Sequence, residues 1–136
     1  MIALDTNVPS ELLKPSPDPA VVEWLRASGT DLCLTSMTIA ELRLGVALLP
    51  GGKRRDSLAT RIGRLSQEFA ARILPFDQMA AQAYARVIAS RRLAGHPMSP
   101  EDGVIAATAI AHGAALATRD TSDFEGLGLK LINPWE

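Results

Sequence analysis

The chain reads as an α/β protein: a three-layer α/β/α sandwich with a central five-stranded, mostly parallel sheet. Three observations predict it. Short apolar segments alternate with helical stretches along the whole length, as in strand–helix–strand units that cover a parallel sheet on both faces. Turn residues and N-cap signals fall at most of the junctions. Acidic residues stand where strands end or helices begin, the edge at which such sheets bind ligands.

At 136 residues the sequence is the size of one ordinary domain, and neither linker, repeat nor low-complexity segment divides residues 1–136. Its 47% hydrophobic and 21% charged content is that of a globular chain. No apolar run approaches the ~20 residues that span a bilayer, and no basic-then-apolar leader opens the chain. Cys33 is the single cysteine, which excludes an internal disulfide and a cysteine-based zinc site. It lies within Leu32-Cys33-Leu34, so a buried, inert thiol is expected. These features predict a cytoplasmic protein without membrane attachment.

Met1 to Leu4 is apolar, ends at Asp5 and predicts the first strand. Val8 to Leu13 predicts a short helix, stopped by the loop Pro15-Ser16-Pro17-Asp18-Pro19. Asp18 is an N-cap with Pro19 at the first helical position, opening a helix through Val21, Val22, Trp24 and Leu25 to Gly29. Leu32 to Thr35 is the second strand. Ser36 is expected to cap a helix carrying Ile39, Leu42, Val46 and Leu49, ended by Pro50-Gly51-Gly52.

An amphipathic helix from about Arg54 to Ala71 follows, with Leu58, Ile62, Leu65 and Phe69 as its stripe. Arg72 to Phe76 is a brief third strand. Asp77 caps a helix with Met79, Ala83, Tyr84, Val87 and Ile88, broken at Gly95-His96-Pro97. Ser99 opens a helix, apolar from Val104 to Ala111 and closed by Gly113. Ala114 to Thr118 is the fourth strand, Thr121 to Phe124 a single turn, and Leu129 to Ile132 the fifth strand.

The acids stand out one by one. Asp5 follows a strand buried on both faces; it serves a ligand or caps the helix near Val8, a task that Thr6 and Asn7 can also perform. Asn7 is a candidate partner orienting Asp5. Glu41 sits a little over one turn into its helix among apolar neighbours, and helical side chains lean back toward the N-terminus and hence the strand edge. A surface pair with Arg43 or Arg55 is the alternative.

Asp102 completes a Ser99-x-x-Asp102 pattern resembling a capping box, and an acid in the first turn gains from the helix dipole. The following stretch is apolar all round and must be buried, so its first turn presents Asp102 from the interior. Asp120 ends the fourth strand and Asp123 follows; either can hold a metal, with Thr118 bonding a water or another carboxylate, or Asp120 forms an Asx-turn. Carboxylates crowded in a cleft repel one another. A hard divalent cation relieves that repulsion and prefers oxygen ligands.

The net charge of −1 argues against affinity for nucleic acid through bulk positive charge. It leaves room for a nuclease, because bound metal supplies local positive potential. The clusters Lys53, Arg54, Arg55, Arg61, Arg64 and Arg86, Arg91, Arg92 are solvated helix faces or contacts to phosphate or a partner. His96 and His112 lack metal-ligand spacing, Trp24 and Trp135 are placed as packing residues, and no glycine-rich phosphate loop is present.

Taken in order, Ile-Ala-Leu-Asp5-Thr6-Asn7, Ser36-x-x-x-x-Glu41-Leu, Glu101-Asp102-x-x-Ile-Ala-Ala and Thr118-Arg-Asp120-x-x-Asp123-Phe124 resemble the motif series of the PIN domain over nearly the whole chain. More narrowly the chain resembles the VapC/FitB type of bacterial toxin. The resemblance implies a Mg²⁺- or Mn²⁺-dependent endoribonuclease, the toxin of a type II toxin–antitoxin system, held in check by a cognate antitoxin. It also implies homodimers and larger assemblies with antitoxin on operator DNA. The acids it carries over are Asp5, Glu41, Asp102 and Asp120, with Asp123 auxiliary; the family often has Asn where Asp120 stands.

On that basis Asp5, Asp102 and Asp120 or Asp123 are expected to hold metal, directly or through water. Glu41 completes the shell or accepts a proton from the attacking water. Two rivals stand beside this reading. An aspartate-nucleophile phosphatase also begins with Asp after strand one, but Asn7 departs from its Asp-x-Asp pattern. A catalytically weak, partner-binding dimer would use the stripes Leu42 to Leu49 and Leu58 to Phe69 as interface.

Overall fold

Five strands lie side by side in the order β3-β2-β1-β4-β5, every neighbouring pair parallel. They are β1 (Ile2–Leu4), β2 (Leu32–Thr35), β3 (Ile73–Leu74), β4 (Ala115–Ala117) and β5 (Leu131–Ile132). The computed structural model describes all residues from Met1 to Glu136. Between the strands run α1 (Asn7–Leu12), α2 (Pro19–Ser28), α3 (Ser36–Ala47), α4 (Lys53–Glu68), α5 (Gln78–Leu93) and α6 (Pro100–Ala111).

Alternation along each strand divides the core into two layers. Ala3, Cys33 and Leu116 face one side, where Ile105, Ala106 and Ala109 of α6 and Phe124 cover them. Leu4, Leu32, Leu34 and Ala117 face the other and meet Val8, Val21 and Phe69. Cys33 is buried in the first layer, and Trp24 and Trp135 pack at the margin of the second. The small residues of α6 let it lie close to the sheet. No helix is long and apolar enough to cross a membrane.

Several boundaries differ from the sequence reading. Thr35, not Ser36, caps α3: its backbone is extended and its Oγ1 accepts the Thr38 amide at 3.1 Å. Ser36 is already helical, and its hydroxyl donates to the Leu74 carbonyl. Helix α4 ends at Glu68 rather than Ala71, and residues Ala70–Arg72 form a 3₁₀ turn. The third strand is only Ile73–Leu74, since Pro75 has no N–H for the ladder. Pairing in β4 and β5 is likewise shorter than the apolar runs that announced them. Asp18, Asp77 and Ser99 cap their helices as expected.

The topology fixes where a ligand can sit. From β1 the chain winds outward through β2 and β3, then returns to the other side of β1 for β4 and β5. The carboxyl ends of β1 and β4 thus flank the switch point, where open α/β sheets bind ligands.

Candidate active site at the switch point

Asp5 leaves the tip of β1 with its amide bonded to the Ala117 carbonyl of β4 at 2.9 Å. The residue is 6% exposed, and each carboxylate oxygen accepts one hydrogen bond. Oδ1 accepts the Thr6 amide at 2.8 Å, and Oδ2 accepts the hydroxyl of buried Thr118 at 2.8 Å. Thr118 Oγ1 in turn accepts the Asp120 amide at 3.1 Å and the Asn7 amide group at 3.4 Å. Asn7 Nδ2 also reaches Asp120 Oδ2 at 3.2 Å. The expectation that Asn7 orients Asp5 is therefore corrected. Asn7 holds Thr118 and Asp120, and Thr118 holds Asp5.

Glu41 arrives from the second turn of α3. Its Oε1 accepts the Thr6 hydroxyl at 2.6 Å, and it pairs with neither Arg43 nor Arg55. Under it, Thr38 donates to the Leu4 carbonyl at 3.2 Å, tying the start of α3 to the end of β1. Asp102 sits half-buried in the first turn of α6, its amide capped by Ser99 Oγ at 3.1 Å. One residue on, Gly103 lets α6 approach α5. A Cβ there would meet Ile88 Cδ1 at 2.7 Å and Tyr84 Cε2 at 3.0 Å.

Asp120 and Asp123 are exposed, on the 3₁₀ turn after β4. Arg91, near the end of α5, tethers that turn by donating to the carbonyls of Asp123 at 2.8 Å and His96 at 2.7 Å. The sequence assigned Arg91 only to a basic cluster; nothing in its spacing announced this tether.

The acids act on one another electrostatically. Burial pushes Asp5 from 3.8 up to about 6, against the Thr118 and Thr6 bonds, with Asp102 and Glu41 adding to the rise. Asp102 is also raised, by burial first; the Ser99 hydroxyl opposes this, and Asp123, Glu41 and Asp120 reinforce it. The structure thus brings Asp5, Glu41, Asp102, Asp120 and Asp123 to one edge. The molecule's ion pairs, Lys14–Glu11, Arg26–Glu23 and His112–Asp77, leave all five out.

Uncompensated carboxylates around a half-buried cleft are the donor set of a hard cation such as Mg²⁺. No three Asp, Glu, His or Cys side chains close on a common point as direct ligands. A cation held there would be bound partly through water.

Beside Glu41 and Thr6, a groove of 630 Å³ runs between α3 and α4 along Leu42, Leu49, Leu58 and Ile62. Farther along α3, Leu44 and Leu48 are 59% and 76% exposed. The stripes that the sequence left open between core and interface therefore divide: Leu42, Ile62 and Phe69 are buried, while Val46, Leu49, Leu58 and Leu65 are half-buried.

Comparison with known proteins agrees with this geometry. A PIN domain family model matches residues 2–128. The VapC ribonuclease Y4jK of Sinorhizobium fredii is 50% identical over 138 residues, covering 100% of this chain and 99% of that protein. Toxin FitB of Neisseria gonorrhoeae is 45% identical over 137 residues, covering 99% of each. The solved structure of FitAB bound to an IR36 DNA fragment has a TM-score of 0.93 at 44% identity, covering 100% of this chain and 96% of that one. The chain belongs to the PIN domain family, in the branch that contains the VapC and FitB toxins.

Proposed function

We propose that the protein is a metal-dependent endoribonuclease, the toxin of a type II toxin–antitoxin pair. The observation that carries this is the meeting of Asp5, Glu41, Asp102, Asp120 and Asp123 at the switch point with no basic partner. The likeness to a VapC ribonuclease and to toxin FitB supports it. Asp5 and Asp102, with Asp120 or Asp123, would hold Mg²⁺ (or Mn²⁺ in its place), some through water. When bound, the ion lowers the pKa of a coordinated water and stabilises charge on the phosphate and leaving oxygen.

The chain's own residues do the rest. Thr118 and the Thr6 amide fix both oxygens of Asp5, so its carboxylate faces the cleft in one orientation. Asn7 steadies one oxygen of Asp120. Glu41, steadied by the Thr6 hydroxyl, keeps its second oxygen free to accept a proton from the attacking water. None of these residues forms a covalent intermediate, which separates this reading from the aspartate phosphatase.

The cognate antitoxin would seal the apolar groove beside Glu41. FitAB, one structural neighbour, is seen on a DNA fragment, which supports a toxin–antitoxin assembly on operator DNA; toxin homodimers and a cytoplasmic location belong to the same proposal. The test is cleavage of total RNA with Mg²⁺ or Mn²⁺. Wild-type protein should cut and EDTA should stop it, and Asp5→Ala and Asp102→Ala should be inactive with unchanged circular dichroism. Undiminished cleavage by either variant would overturn the assignment. A folded wild type that cuts no RNA yet binds a partner would favour the binding-dimer reading.

A further inference from the structure

The arginines hydrogen-bonded in this structure spend their guanidinium groups on backbone carbonyls. Arg61 donates to Leu12 and Leu13, Arg72 to Thr30 and Leu32, and Arg91 to His96 and Asp123. Arg119 differs. Its guanidinium has neither carboxylate nor carbonyl partner, but lies over the Trp135 ring at 5.3 Å from the centroid. It is exposed, and it stands between Thr118 and Asp120, two residues of the acidic site.

The platform beneath it is built rather than incidental. Trp135 Nε1 donates to Glu11 Oε1 at 3.3 Å. Glu11 is 5% exposed and also takes Lys14 Nζ at 3.0 Å and the Asp18 amide at 3.4 Å. One buried carboxylate thus fixes the indole and holds a lysine ammonium at the rim. Lys14, Arg119 and Trp135 line an open depression of 610 Å³, whose wall also carries Glu11, engaged by Lys14 and the indole, and the helix-capping Asp18. Lys14 also lines the groove that holds Glu41, so the two depressions share this residue.

A planar guanidinium stacked on an aromatic ring keeps its in-plane donors free and loses less freedom when it grips a phosphate. A strand whose scissile phosphate lies at the acids must pass its neighbouring phosphates over one flank or the other. The flank at Arg119 offers positive charge next to carboxylates that would otherwise repel the strand. We propose that Arg119, propped on Trp135 and assisted by Lys14, anchors a phosphate of single-stranded RNA beside the one that is cut. This subsite rests on the ribonuclease reading above.

Two measurements test it, one of which needs no cleavage. In EDTA, anisotropy of a labelled single-stranded RNA oligonucleotide gives the affinity and its dependence on salt. Arg119→Ala should weaken binding about tenfold and reduce the slope of log K against log salt by roughly one phosphate contact. Trp135→Leu, which keeps apolar bulk but removes the ring, should produce a smaller loss, and melting temperatures should show both variants folded. In cleavage assays Arg119→Ala should raise KM and leave kcat nearly unchanged.

Equal affinity and slope for wild type and Arg119→Ala would overturn the subsite, even if the protein cleaves RNA normally. A fall in kcat with KM unchanged would overturn it as well, placing Arg119 in the chemistry instead. A wild type that neither binds nor cuts RNA would remove both the subsite and the ribonuclease reading. A lowered salt slope without cleavage would keep the subsite and question only the catalysis.

Discussion

Thr118 at the end of β4 donates its hydroxyl to Asp5 at the end of β1, across the sheet's switch point and 113 residues apart in sequence, at 2.8 Å. That bond joins the two halves of the doubly wound sheet at the place where the acids meet. Thr118 also accepts from the Asp120 amide and from Asn7, so one buried hydroxyl sets the geometry of two acids.

Thr118→Val keeps the volume and removes the hub. It leaves a buried Asp5 oxygen and the Asp120 amide without partners, which should cost about 1–3 kcal/mol. Groups that orient metal-site carboxylates typically matter by about 10–100-fold in activity. Chemical denaturation and RNA cleavage by the same variant check both numbers. Thr118→Ser, which restores the hydroxyl, should recover most of the activity.

Asp5 carries a pH signature. Its folded-state value of about 6 lies above the ordinary 3.8, so the fold prefers Asp5 protonated when no cation is bound. The stability this contributes is full below the unfolded value and is lost as pH rises through about 6. In EDTA, the melting temperature of Asp5→Asn relative to wild type should therefore climb between pH 4 and pH 7 and then level off. A difference that stays flat across that range would show that burial does not raise this carboxyl.

Gly103 joins helix packing to the site. A methyl there gains helix propensity of about 1 kcal/mol but runs into Ile88 and the rigid ring of Tyr84. Overpacking of this kind costs about 1–3 kcal/mol. Gly103→Ala should therefore destabilise by roughly 1 kcal/mol and lower activity by displacing Asp102, the preceding residue. A variant more stable than wild type would mean that α5 and α6 separate freely.

Much of this architecture was legible because period and punctuation agreed. Asp18-Pro19, Asp77 and Ser99 mark their helix starts, and the five apolar runs each hold a strand. The boundaries that failed did so where a neighbour decided the matter: Thr35, extended in β2, took the cap that Ser36 promised, and Pro75 cut the third strand short. The acids were legible because charge at the tip of a doubly buried strand has few structural uses. Their supports were harder to see. Asn7 bonds to residues from position 118 onward, and Arg91 reaches carbonyls up to 34 residues away. Such partners depend on the fold itself, and no local spacing encodes them.

The central claim is that the converging acids demand a cation. Calorimetric titration of Mn²⁺ into wild type, Asp5→Asn and Asp102→Asn at pH 7 tests it most directly. Wild type should bind saturably, and a hundredfold excess over Kd should add about 2.7 kcal/mol of stability. Both variants should lose that heat and that stabilisation while remaining folded. Indistinguishable binding curves for all three proteins would contradict the account, because the ion would then owe nothing to Asp5 or Asp102.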